Sequence, residues 1–165
     1  MSELPFESKL DELDVQLQNF CKAPTKQAWD IIRALYQSPE VQLHADWPRH
    51  DQKVLMFMAA ALANHPDWAG TDQERQLLSE SKARREWLLS PSGDSQRKLD
   101  LLWYSYFATG DTAFPLRIRA IADTLAYKDL REVAIRTYAA VAQIHPELEQ
   151  LAPELIKIAA YLKTQ

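Results

Sequence analysis

Residues 99–125 read LDLLWYSYFATGDTAFPLRIRAIADTL, and this stretch decides the fold. Leu99, Leu102, Trp103, Tyr106 and Phe107 recur at the spacing that places them on one helical face. Gly110 ends that helix, because glycine takes a left-handed C-cap without steric cost. After Asp111, Thr112 is the expected N-cap of a second helix whose first turn accommodates Pro115. Ile118, Ile121, Ala122 and Leu125 then form the second helix's core stripe. Helix, tight turn and helix make a helical hairpin, which predicts an all-α architecture of stacked helix pairs.

The composition agrees. A chain of 165 residues is one domain by length and large enough to bury a core. Only 3 glycines are present, which disfavours a turn-rich β fold and leaves no material for a phosphate-cradling loop. The net charge is −4, and residues 1–24 set Glu3, Glu7, Asp11, Glu12 and Asp14 against Lys9 and Lys22. A nucleic-acid binder carries a basic stripe, and this chain has none, so nucleic acid is not an expected partner. Cys21 is the single cysteine, which excludes an intramolecular disulfide and fits a reducing compartment. The start, MSELPFESKLDELD, lacks the basic and apolar regions of a secretory signal. No apolar run approaches the ~20 residues that span a bilayer. The expectation is a cytoplasmic protein with no membrane partner.

Nine prolines punctuate a series of helical patterns. Leu10, Leu13, Leu17 and Phe20 mark a helix over about 7–21. Thr25 caps a second, with Ala28, Ile31, Ile32 and Leu35 inward. LHADWPRHD (43–51) reads as an irregular loop, since Pro48 restricts Trp47. Residues 51–64 are apolar on every face and predict a central, surrounded helix, stopped by His65–Pro66. Thr71 caps a charged helix to about Leu89, with Leu77, Leu78, Trp87 and Leu88 inward. Ser90–Gly93 reads as a linker, after which Asp94 or Ser95 starts the aromatic helix. A further helix spans about 129–144, and the last carries Leu151, Leu155, Ile158 and Leu162 inward. This gives about seven antiparallel helices as hairpins in an open bundle or short solenoid. They form a single domain over 1–165, or sub-units 1–89 and 94–165 joined at the linker. One self-match stands out: MAAALANHPDW (58–68) and YAAVAQIHPEL (138–148) each close an Ala-rich helix with His–Pro. Duplication or chance accounts for it.

YFATGDTAFPLRIRAIADTL (106–125) resembles the turn region of tetratricopeptide-like repeats. Tyr106, Gly110, Asp111, Ala113 and Ile118 occupy comparable places. The chain departs from that family in lacking a fixed ~34-residue period and in placing Pro115 where a helix former is usual. The resemblance implies stacked helical pairs and brings no peptide-binding residues. The chain also looks like uncharacterised bacterial helical proteins with a Trp…Tyr-Phe-Ala-Thr-Gly-Asp hairpin, a likeness that implies no activity.

Motifs for chemistry are sparse. His44, Asp46, His50 and Asp51 are metal-ligating types in one loop, but no helical pattern fixes two of them on one face, and a solvated loop explains them. The residues three before the four histidines are Val41, Trp47, Leu62 and Ala142, so the Glu-x-x-His pairs of a di-iron bundle are absent. Cys21 follows the first helix's apolar stripe and reads as a core thiol. No Gly-x-Ser-x-Gly elbow exists, and nothing singles out a carboxylate pair. Lys82, Arg84 and Arg85 are interleaved with Glu80 and Glu86 as on a solvated helix. No catalytic residue and no cofactor are expected.

Trp47, Trp68 and Tyr104 fit the helical stripes least well. With Arg117 they are the expected protein-binding surface; the other reading is that they cap the ends of the core. The expected function is a non-enzymatic protein–protein interaction module of adaptor, chaperone-like or immunity type, with a homodimer open. The alternative is a small-ligand-binding or enzymatic helical domain with its pocket between the 51–64 and 95–109 helices.

Overall fold

The structure, a computed structural model, describes residues 5–42, 47–124 and 128–165, with side chains over 9–42, 52–124 and 128–165. Among the described residues it is all-α, with no strand. The helices are α1 (Pro5–Asn19), α2 (Lys26–Gln37), α3 (Pro39–Gln42), α4 (Trp47–Asn64), α5 (Asp72–Leu89), α6 (Gln96–Thr109), α7 (Ala113–Ala122), α8 (Lys128–Ile144), α9 (Glu147–Leu151) and α10 (Pro153–Leu162). Ten is more than the expected seven because prolines cut short pieces from longer patterns: α3 begins at Pro39, and Pro153 separates α9 from α10. The expected loop over 43–51 is corrected at its end. α4 begins at Trp47, with Pro48 in the first turn, where a missing N–H costs nothing.

The chain divides into two compact units, Met1–Trp87 with Tyr104–Gly110, and Leu88–Trp103 with Asp111–Gln165. In the first, α1 packs on α2 and α3. Leu13, Leu17, Phe20, Trp29, Ile32, Leu35, Phe57 and Leu62 are buried. α4 buries all but one of its residues from Met56 to Leu62, as its all-round apolar pattern predicts. Two faces differ from expectation. Ile31 is 40 % exposed while Trp29 and Tyr36 are buried, and Trp87 is 42 % exposed. Thr25 caps α2 as expected, its hydroxyl accepting from the Ala28 N–H at 3.1 Å.

The N-terminus of α5 is built around a buried carboxylate. Thr71 accepts from the Glu74 N–H, and Glu74 Oε1 accepts from the N–H groups of Thr71 and Gly70, a reciprocal cap. Arg33 of α2 closes the site from the other side. Its Nε and Nη2 donate to the two Glu74 oxygens, each at 2.8 Å, and Nη2 also donates to the Trp68 carbonyl. Glu74 is only 2 % exposed, so the four donor contacts to its carboxylate, two from Arg33 and one each from Gly70 and Thr71, replace its water.

In the second unit α8 packs against both α7 and α10. The Arg119–Glu154 ion pair, at 2.6 Å, ties α7 to α10. From there, a cavity is reached by moving up α7 to Ala122, up α10 to Ile158 and Leu162, but down α8 to Ile135 and Arg131. α7 and α10 therefore run the same way and α8 runs against both. Trp103 donates to Thr137 at 3.3 Å, bringing the middle of α6 onto α8.

Gly110 has φ +68 and its N–H donates to the Tyr106 carbonyl, the left-handed cap expected from sequence. Thr112 is a correction. Its own backbone is already helical, so its hydroxyl makes no cap bond, and Asp111 Oδ1 accepts the Ala113 N–H instead. The two His–Pro segments are alike in structure. The His65 and His145 N–H groups close α4 and α8 onto Ala61 and Val141. Their carbonyls then accept from Trp68 and Leu148, both buried.

Three outcomes follow for urea denaturation. Gly110→Ala lowers stability by about 1–2 kcal/mol, entirely through its positive φ, because a Cβ there meets Cys21 at an ordinary 3.6 Å. Arg33→Met strands the buried Glu74 carboxylate and costs about 3 kcal/mol. Lys26→Ala breaks an exposed pair with Asp30 and costs under about 0.5 kcal/mol.

Candidate functional site

α10 carries more apolar surface than its own unit buries. At 100° per residue, Ala159, Leu155, Leu162, Ile158 and Tyr161 sweep an arc of about 160°. Leu155 and Ala159 are buried, whereas Ile158 is 41 % and Tyr161 64 % exposed. The expectation that Ile158 points inward is thus corrected: it stands at the edge of a groove. That groove has a volume of about 310 Å³ and runs between α7 and α10 with α8 as its floor. Ala122, Ile135, Ile158 and Leu162 give it apolar walls, and Asp123, Arg131 and Glu132 form its charged rim. Tyr138 is fully buried, and burial pushes its hydroxyl up to about 12, helped by the charge of Glu154. It stays protonated at neutral pH and donates to the Leu148 carbonyl at 2.7 Å, a structural role.

A second cavity of about 400 Å³ lies at the starts of α6 and α8, lined by Asp94, Ser95, Gln96, Lys128, Asp129, Leu130 and Val133. Its Asp94 is already engaged. Arg117 of α7 donates from Nη2 to both Asp94 oxygens at 2.7 Å and from Nε to the Ser90 carbonyl at 3.1 Å. Lys98 lies beneath, with no exposed surface. Its ammonium donates to the Ser90 and Ser92 carbonyls at 2.8 and 2.6 Å and sits 3.6 Å from Asp94. Ser95 caps α6 by accepting the Lys98 N–H. Burial holds the Lys98 ammonium below the usual lysine range; Asp94 opposes that shift and Arg117 adds to it.

Of the residues expected to bind a partner, Trp68 and Tyr104 fall in the first unit and Arg117 in the second. Trp68 is 8 % exposed, stacked on His65 at 3.8 Å and on Trp29 at 5.8 Å. It caps the first unit's core, the other reading its sequence allowed. Tyr104 lies beneath the Lys53 ammonium, at 5.7 Å, with its hydroxyl 3.4 Å from Asp14. Arg117 belongs to the second unit and spends its guanidinium on Asp94 and Ser90. The side chain of Trp47, His44 and Asp46 entirely, and the side chains of His50 and Asp51 lie outside the described residues. Among the described residues no cluster of His, Cys, Asp or Glu is placed to hold a metal ion. No described helix is long and apolar enough to cross a membrane.

Sequence reasoning passed over Glu74, Lys98 and Tyr161. The pattern Thr71-x-x-Glu74 signals a capping box, and PELIKIAAYL is apolar over too wide an arc for one buried face. No local pattern marks Lys98, whose burial depends on α7.

Lys98→Met leaves two carbonyls and Asp94 short of a donor. Amide exchange over 90–95 rises, and stability at neutral pH falls by about 2–3 kcal/mol. The folded state releases the Lys98 proton more readily than the unfolded chain, so between the lowered value and 10.5 the unfolded state binds more protons. Wild-type stability relative to Lys98→Met therefore rises with pH across that window, as denaturation midpoints at successive alkaline pH values will show. Comparison with protein-family models, with curated proteins and with solved structures finds no match.

Proposed function

We propose that the chain is a non-enzymatic protein-interaction module whose docking surface is the α7–α8–α10 groove with the adjoining face of α10. One observation carries this reading: Ile158 and Tyr161 extend the apolar arc of α10 beyond the part its own unit covers. An exposed apolar strip continuous with a groove and edged by charge is the anatomy of a binding surface. The groove also suits a helix or an anchor side chain, since parallel helix walls over an apolar floor receive such segments. Nothing in its lining arranges a nucleophile, base and oxyanion donors together.

A small-ligand reading rests on the larger cavity at the starts of α6 and α8. Its weakness is chemical. Asp94 is already held by Arg117 and Lys98, and the other polar side chains of the lining, Gln96, Lys128 and Asp129, are exposed to solvent rather than converging on an enclosed ligand.

Affinity capture from native lysate tests the first reading, with wild type and Tyr161→Asp side by side. Tyr161 is 64 % exposed, so the variant folds. The expected result is one stoichiometric protein held by wild type and lost by the variant. Equal capture by both, or enrichment of neither another protein nor a native copy of this chain, overturns the groove as the docking surface.

A further inference from the structure

The groove's lining states what it accepts. Its apolar walls take a flat hydrophobic group, Arg131 at the rim can lie over an aromatic face, and Asp123 and Glu132 call for a cation beside that ring. Neither carboxylate is ion-paired among the described residues. An aromatic residue with a lysine one helical turn away meets all three requirements. α10 presents that pair on its own outer face. Lys157 and Tyr161 are spaced i,i+4, so they lie side by side, and both are exposed. Lys157 likewise has no ion-pair partner among the described residues. Tyr161 cannot enter the groove of its own chain, because the same rigid helix forms one of the walls.

We propose that the groove's occupant is a second copy of this chain: Tyr161 of one copy enters the other's groove, and Lys157 meets Asp123 and Glu132. The arrangement is two-fold, each copy giving one anchor and receiving one, so the contact closes on itself and stops at a dimer. This rests on the reading of the groove as a docking surface.

Sedimentation velocity over a concentration series, with complementary charge swaps, tests it. The variants are Lys157→Glu and the double substitution Asp123→Lys, Glu132→Lys. Lys157 and Asp123 are exposed and Glu132 is half-buried, and circular dichroism checks the fold of each variant. Wild type is expected to dimerise, and each variant alone to weaken self-association at least about tenfold, because like charges then face each other twice. Mixing the two variants restores a one-to-one dimer, since both contacts become complementary. Tyr161→Ala weakens the wild-type dimer by about tenfold or more.

A wild type that stays monomeric up to about 1 mM overturns the proposal. So does a dimer indifferent to Tyr161→Ala and the swaps, or a mixture that remains monomeric. If wild type is monomeric but Tyr161→Asp still abolishes capture of another protein, the second copy is excluded and the docking surface stands. If capture is also unaffected, both readings fall.

Discussion

A charge sealed from water needs replacement solvation, and in each unit one such charge organises a helix start. Glu74 and Lys98 occupy equivalent places, three residues after the capping residues Thr71 and Ser95. One is an anion that collects N–H donors from Gly70 and Thr71; the other is a cation that collects the carbonyls of Ser90 and Ser92. Each arrangement recruits an arginine from a helix distant in sequence, Arg33 to Glu74 and Arg117 to Asp94 and Ser90. Losing either partner would strand a buried charge, so the loop, the helix start and the remote helix hold one geometry together. Arg117 and Arg119 are two residues apart on α7. The first is locked to the start of α6 and the second to α10, so the buried network also sets where the groove's α7 wall stands.

The two His–Pro segments show how a short sequence pattern becomes a three-dimensional one. Proline cannot supply the N–H that would continue the helix, so the chain turns after the histidine. The histidine carbonyl is then free to accept from the residue three further on, which swings a large apolar side chain back inward. Trp68 in one unit and Leu148 in the other arrive in this way. The geometry follows from His–Pro with a large apolar residue at the right distance, whether or not the two segments share an origin.

Most helices, the caps at Thr25, Thr71 and Ser95 and the Gly110 turn were legible because they depend on local chemistry: apolar period, capping oxygens, a residue free to take positive φ. Faces were less legible. In α2 the spacing allowed Ile31 or Trp29 inward, and the larger ring beside Trp68 took the buried place. Trp68 looked like a surface anchor because it follows a proline outside any stripe, yet the turn that places it outside the helix is also what carries it into the core. Arg117 looked free because its carboxylate partner is 23 residues away. Burial of charge is a property of tertiary neighbours, and no window along the chain contains them.

The groove has a simple physical origin. Two helices lying in the same direction on a third leave a cleft above it unless large side chains meet across the gap. Here α7 contributes Ala122 at the position facing Ile158 and Leu162. A leucine or phenylalanine at 122 would close the cleft in the manner of an ordinary core. Alanine leaves it open while α10 keeps an apolar arc wide enough to line it and still project Tyr161 outward. Exposing that surface is unfavourable for an isolated chain, since each buried methylene is worth about 0.8 kcal/mol. A sequence that combines a small residue inside the cleft with a large aromatic outside it leaves its most favourable contacts to be made by association.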